Sequence, residues 1–464
     1  MSLSRKMSRQ MSRRQFALLS LSLASLSSPS LAQSQSIEDV LDDLAFGSPD
    51  AFTAALAFIK ERGKPDMVAP LITAMRFGRA PDVFYEDVMR DLTGEVEISS
   101  WFEWMLWQES HPEVVPHPAY VGFKRELLLQ IDPNFDVFLK PEHLARDRMK
   151  IRLEEITWGG VRKDGIPSLD NPELVSAADA GYLRGSDLVF GVSINGDVRA
   201  YPLRIMGWHE MFNEVIGGVP VALAYCTLCG SGILFETQLE GRAEPLVFGS
   251  SGFLYRSNKL MFDRETHSLW NQFTGKPVSG DLVDSGIELA QRPVVITSWD
   301  EWKDANPDTK VLSLNTGHRR DYGPGVVYND YFSSPKLMFP ALVDEKAHAQ
   351  KDYVFGIRRY GGAKAWPLKA FEGGKMVNDG IGDVPLVLVG DEATRTVRAY
   401  ERGDLEFSPV AGGNLASPDG VVWELKEEQM EASDGRTLPR VAGHIAYWFA
   451  WNGYLGAESE LYGG

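Results

Sequence analysis

Val189-Phe190-Gly191 returns as Val354-Phe355-Gly356, 165 residues further on and without a gap. Ala200-Tyr201-Pro202-Leu203 returns as Ala365-Trp366-Pro367-Leu368, Asn213 as Asn378, and Ile216-Gly217-Gly218-Val219-Pro220 as Ile381-Gly382-Asp383-Val384-Pro385. Over Val189–Ala224 the match is 14 identities in 36 positions, far beyond chance for an ungapped comparison. Such a chain is expected to fold one unit twice. Within the unit, Asp187 to Ile194 alternates toward a strand, and Asn195-Gly196 supplies the positive φ angles of a tight hairpin turn. Asp197 to Tyr201 returns as a second strand. A short helix carrying Met206, Met211 and Phe212 is expected next, closed by Gly217-Gly218. Val219 to Tyr225 then reads as a buried strand, with further strands at Gly232 to Gln238 and Pro245 to Phe248.

The 95 or so residues from Ser36 to Gln130 are of another kind. Ser36-Ile37-Glu38-Asp39 resembles a capping box, Ser48-Pro49 opens a helix that Gly63 closes, and Pro65 to Gly78 repeats the device. Trp101, Phe102, Met105 and Leu106 are expected to form one apolar helical face. The fold class is therefore α+β: an N-terminal helical domain followed by a duplicated, mostly antiparallel β-rich domain with short helices. The boundaries are residues 1–32 for a leader, 33–150 for the helical domain, 151–345 for copy one and 346–464 for copy two.

The leader reading rests on Ser12-Arg13-Arg14-Gln15-Phe16-Ala17, a twin-arginine pattern. It is followed by a Ser-rich apolar stretch too short for a membrane anchor and by Ser30-Leu31-Ala32 at the cleavage position. The protein is expected in the periplasm or otherwise exported, folded before transport. The chain carries 47 Lys+Arg against 64 Asp+Glu, a net charge of −17; losing residues 1–32 removes five basic residues and no acid, leaving −22. That surface repels nucleic acid and anionic lipid and carries no phosphate-binding signature. No span follows the leader, and the partner is an unspecified small molecule or protein.

Scaffold residues match between the copies, but residues able to do chemistry do not. His209 aligns with Gly374, Glu210 with Lys375, Cys226 with Asp391 and Cys229 with Thr394. Cys226 and Cys229 are the only 2 cysteines. They end a buried strand and enter the Gly-bounded turn Leu228-Cys229-Gly230, which resembles one knuckle of a metal site. Four-thiolate zinc and iron–sulfur sites need more cysteines than the chain has. Two thiolates with His209, and with Met261 as a thioether, would make a soft site for copper, with zinc second. Glu210 and Asp263 are the candidate acid–base groups, and Asn213 and His267 the candidate supports. Asn213 is expected one helical turn beyond His209.

Two other readings stay open. The pair can run thiol–disulfide chemistry, although that motif usually opens a helix, whose N-terminus stabilises the thiolate. It can also be inert within a binding or scaffold protein. The polar loop Thr316 to Gly323 either reaches over the site with His318 or Asp321 or is a surface linker. Ser298-Trp299-Asp300-Glu301 reads as a capped helix start. No nucleotide-binding loop, nucleophile elbow or His-Glu-x-x-His is present.

Several separated stretches carry a resemblance: Gly159 to Pro167, Tyr201-Pro202-Leu203, Trp208-His209-Glu210, Tyr225 to Gly230, Met261 to Trp270 and Trp448-Phe449-Ala450-Trp451. From about Ile151 onward the chain resembles the prokaryotic family catalogued as domain of unknown function 3179. Such sequences often have Pro at the position of Thr227 and Tyr at that of Phe262. The resemblance implies a site pattern but no activity, and the helical front lies outside it.

Overall fold

The computed structural model describes residues 35–78 and 80–463, so the twin-arginine stretch and its cleavage point lie outside the described residues. Six helices open the described chain: α1 (Ile37–Phe46), α2 (Pro49–Arg62), α3 (Val68–Phe77), α4 (Asp82–Thr93), α5 (Trp101–Ser110) and α6 (Tyr120–Ile131). Their ends follow local chemistry. Ser36 Oγ accepts from Asp39 N at 3.1 Å while the Asp39 carboxylate accepts from Ser36 N at 3.3 Å, a reciprocal capping box. Gly63, at φ 64°, ends α2 in the left-handed region that glycine tolerates. The apolar face of α5 differs from the expected one: Trp104 and Trp107 are its buried aromatics, while Trp101 and Met105 pack at the margin. The neighbours lie on the other side of the helix, and periodicity alone does not say which side that is.

Behind the helices stands an antiparallel sheet of Ile156–Trp158, Phe248–Tyr255, Asn258–Asp263, Leu269–Asn271 and Lys276–Ser279. Successive side chains serve opposite faces. Phe253, Tyr255, Leu260, Phe262 and Leu269 join the core of the helices. Phe248, Leu254, Met261 and Trp270 join a second core that contains both cysteines. Lys124 of α6, itself buried, donates to the carbonyls of Leu153 (2.7 Å) and Ile156, fastening the helices to the edge of this sheet.

Two stretches then lay down elements in the same order. Leu188–Ile194 pairs with Asp197–Pro202, and Tyr353–Arg359 pairs with Gly362–Pro367. Met211–Ile216, Val219–Cys226 and Ser231–Glu236 form one antiparallel run; Lys375–Ile381, Val384–Asp391 and Thr396–Glu401 form the other. A parallel strand joins each first sheet, Lys310–Leu312 beside Asp197–Pro202 and Ser459–Leu461 beside Gly362–Pro367. The halves interlock: Ser231–Glu236 lies against His444–Tyr447, and Thr396–Glu401 against Val295–Ser298.

One expectation fails here. The helix after the first hairpin is only Leu203–His209, and Met211, Phe212 and Asn213 belong to the next strand. Glu210 takes the left-handed conformation (φ 55°), which stops the helix, and Gly217-Gly218 is the turn of the following hairpin.

Each half also seats a tryptophan on a glycine. A Cβ on Gly191 would come 2.2 Å from Trp302 Cζ3, and one on Gly356 would come 1.9 Å from Trp451 Cζ3. Both tryptophans follow capped or extended entries to short helices, Trp299–Ala305 and Trp448–Leu455, and Ser298 caps the first as expected. Gly191→Ala and Gly356→Ala should each destabilise the fold by about 1–3 kcal/mol, the range for overpacking a rigid core. Urea unfolding that finds either variant as stable as the parent would contradict this close seating.

Candidate functional site

The strand Val219–Cys226 runs into a single 3-10 turn, Thr227–Cys229, and leaves it through Gly230 at φ 61° into Ser231–Glu236. The Cys-x-x-Cys segment is thus the turn of an antiparallel hairpin, with Cys226 opposite Ser231. Cys226 and Cys229 are 1% and 0% exposed, and their sulfurs lie 2.7 Å apart as free thiols. Asn258 Nδ2 donates to Cys229 Sγ at 3.1 Å and to Gln272 Oε1 at 2.9 Å; Gln272 Nε2 in turn donates to the Ala224 carbonyl at 2.8 Å. Burial pushes the Cys229 thiol well up, with the neighbouring Cys226 adding to the shift and the Asn258 amide opposing it. The turn before Asn258 has two non-glycine residues in the left-handed region, Arg256 (φ 48°) and Ser257 (φ 61°). Such conformations cost about 1 kcal/mol or more each and gather at functional sites.

A buried carboxylate approaches the same turn. Glu210 accepts from Thr227 Oγ1 at 2.8 Å, Lys259 Nζ at 3.1 Å and Tyr328 Oη at 3.3 Å. Thr227 stands between the two cysteines, so one hydrogen bond joins the carboxylate to the cysteine turn. The connector between the halves covers it: Tyr331 Oη donates to the Leu228 carbonyl at 2.6 Å. Lys351 Nζ sits 3.8 Å from the Tyr331 ring centroid. Tyr353 and Tyr447 of the second half stack at 4.5 Å beside Gly230, whose added Cβ would come 2.9 Å from Tyr353 Cε1. Burial pushes the phenols of Tyr225, Tyr328, Tyr331 and Tyr447 up, so these groups stay protonated.

The other sequence candidates are placed as follows. Asp263 is fully buried and accepts from Thr266 N (2.6 Å), Thr266 Oγ1 (2.8 Å) and Trp270 Nε1 (2.9 Å), so its two oxygens brace a turn. Asn213 clasps the backbone of Phe248 through its amide N and O at 2.9 and 2.8 Å. Asn378 clasps Phe407 in the same way at 2.9 and 3.1 Å, so this support belongs to the scaffold of both halves. Met261 is buried in the core that contains the cysteines. His267 is half-buried and stacks on Phe262 at 6.1 Å.

His209 is engaged elsewhere. Its Nδ1 lies 2.9 Å from the Pro167 carbonyl and its Nε2 2.6 Å from Tyr322 Oη. A carbonyl only accepts, so Nδ1 carries the proton, and the Nε2 lone pair accepts from Tyr322. Tyr322 Oη meets Thr316 Oγ1 at 2.6 Å, and the His318 ring is 5.2 Å from that of His209. The loop from Thr316 to Gly323 therefore reaches over His209. No group of three or more His, Cys, Asp or Glu side chains able to hold a metal ion is found among the described residues. Asn258, Lys259, Gln272, Tyr328 and Tyr331 escaped sequence reading; Asn258-Lys259 directly precede the Leu260-Met261 motif, but the tyrosines carry no local signal.

Burial, with His318 and Arg320 nearby, pulls the His209 imidazole down to about 4 from 6.5, against the opposing Pro167 carbonyl. The unfolded chain takes up this proton first as pH falls. The stabilisation is therefore full above about pH 6.5 and is lost on the way to about pH 4. His444, pulled down to about 3 by burial, adds a loss that continues to lower pH. Replacing His209 by Gln should flatten the pH dependence of urea stability in that window, by up to about 1.4 kcal/mol per pH unit. An unchanged slope would show that His209 is not buried neutral.

No helix among the described residues is long and apolar enough to cross a membrane. No curated protein and no solved structure matches the chain. The family described as "Protein of unknown function (DUF3179)" matches residues 163–458, which takes in the cysteine turn, Glu210, Lys259 and both interlocked halves up to the last strand, Ser459–Leu461. With well over half its length matched, the chain belongs to that family.

Proposed function

We propose that the protein is a thiol–disulfide protein in which Cys226 and Cys229 cycle between a dithiol and an internal disulfide. The carrying observation is the 2.7 Å between the sulfurs. Two thiolates on one tetrahedral zinc, at bonds of ~2.3 Å, stand ~3.8 Å apart. A disulfide needs ~2.05 Å, which a small side-chain rotation reaches. A copper or zinc centre would have to spread the pair and find a further ligand, and the Nε2 lone pair of His209 is already taken by Tyr322. The strand-to-turn setting argued against this chemistry in the sequence; the Asn258 donor at 3.1 Å supplies, by a side chain, part of what a helix N-terminus supplies elsewhere.

In the exchange, one thiolate of the pair attacks a substrate disulfide and forms a mixed disulfide, releasing the first substrate thiolate. The second thiolate then attacks the mixed bond, closes Cys226–Cys229 and frees the other. The substrate gains two electrons and the pair loses them. Glu210, tied to the turn through Thr227, is the group we assign to accept the thiol proton. Reverse exchange with a dithiol returns the pair to its reduced form; an exported location by the twin-arginine route would bring it to disulfide-bearing substrates, and the matching order of the two halves supports reading them as a duplication with one chemical copy.

The test begins with reduced protein. Denaturation should expose two titratable thiols, and oxidised glutathione should remove both as an internal disulfide. Cys226→Ser should instead leave one thiol or a mixed adduct. Glu210→Gln should slow oxidation of the pair by roughly ten- to a hundredfold. One tightly held copper or zinc per chain that blocks oxidation would favour the metal reading. Thiols that neither oxidise nor hold metal would leave a binding or scaffold role.

A further inference from the structure

A cavity of about 220 Å³ opens where the two halves meet, with Leu188, Arg204, Tyr225, Val326, Phe332 and Arg395 among its walls. Arg395 follows the second half's counterpart of the cysteine hairpin. It occupies the position of Gly230 and shares its left-handed backbone, φ 55° against 61°. Its guanidinium lies 4.3 Å from the Tyr353 ring centroid and has no ion-pair partner among the described residues. Arg204 is the second residue of the helix Leu203–His209. It donates to the Tyr182 carbonyl and reaches Asp187 Oδ2 only at 3.6 Å, and its buried Nε has no partner. Asp187, the acidic side chain in the lining, also accepts from Arg184 N at 2.9 Å.

Two arginines and one carboxylate, Asp187, thus line one small space in a chain whose net charge is −17. The chain-wide charge conceals this local excess of positive charge. Leu188, Val326 and Phe332 give it apolar walls, Val326 and Phe332 being themselves partly open to solvent, and a guanidinium beside such walls is matched by a planar or tetrahedral oxyanion. We propose that this cavity binds a small molecule through a carboxylate or phosphate-type oxyanion, held by Arg395 with Arg204 beside it in the wall. Tyr225 immediately precedes Cys226, and Val326 to Phe332 belong to the connector that covers the cysteine turn. Tyr225 and Cys226 serve opposite faces of their strand, so the link to the sulfurs runs through that connector; a role in holding the anionic part of a disulfide substrate, unlike the binding itself, rests on the redox reading above.

The full chain should be melted in millimolar inorganic phosphate, and separately in acetate, against chloride at matched ionic strength. At least one oxyanion is expected to raise the melting temperature by about 2 °C, and the two arms separate phosphate from carboxylate. Arg395→Gln should abolish the rise and Arg395→Lys should keep part of it. Val326→Trp, at a position 43% exposed, fills the cavity with Arg395 intact and should also abolish it. Should Arg395→Gln not fold, the Val326→Trp result decides. The proposal is overturned if neither anion shifts the parent, or if the shift survives in Val326→Trp. Cys226→Ser should bind as the parent does. If binding holds while the thiols prove inert, the site stands and only the redox reading falls.

Discussion

Neither half of the β region can complete the cysteine site alone. Gly230 must be left-handed to turn the chain after Cys229, and the space its missing side chain leaves is taken by Tyr353 and Tyr447 of the other half. The strand leaving the turn lies against His444–Tyr447, while the matching strand of the second half lies against Val295–Ser298. A close-packed contact of this kind is nearly rigid. The geometry of the two sulfurs is therefore fixed by the docking of the halves as much as by their own hairpin.

The same dependence runs outward to the helices. The sheet containing Phe248–Tyr255 and Asn258–Asp263 gives one face to the helical core and the other to the core around the sulfurs. Its two-residue turn, Arg256-Ser257, is held left-handed without glycine, and a Glu155 carboxylate reached through Arg256 Nε stands on the helical side of it. Asn258 and Lys259, the first residues beyond that turn, touch Cys229 and Glu210. The N-terminal helices thus brace the residues that polarise the site.

Sequence reading succeeded where local chemistry decides. Ser36 and Gly63 cap as their types require, Asn195-Gly196 turns a hairpin, and the cysteines end one strand before another begins. It failed where a single residue changes the period. Glu210 enters the left-handed region, so Asn213 falls on a strand instead of a helical face, and the geometric argument linking it to His209 dissolves. His209, the last residue of that helix, has both ring nitrogens engaged by Pro167 and Tyr322. Tyr328 and Tyr331 were invisible because their partners, Glu210 and the Leu228 carbonyl, lie about a hundred residues away.

Burial sets the character of the chemistry we assign. A thiol with its ordinary pKa exposes some thiolate at neutral pH, whereas Cys229, pushed up by its apolar setting, holds its proton. Cys229 is therefore a poor nucleophile while covered and is protected from adventitious oxidation. The disulfide, being uncharged, loses nothing by burial, so the same apolar setting that discourages the thiolate favours the closed pair. A site of this kind gains selectivity through whatever displaces its cover. The cover is the connector carrying Tyr328 and Tyr331, whose polar contacts include Glu210, the Leu228 carbonyl, and Lys351 on the Ser334 carbonyl at 2.7 Å. Tyr328 and Tyr331 each touch a group of the site, Glu210 and the Leu228 carbonyl, so displacing the connector would break both contacts and uncover the cysteine turn together.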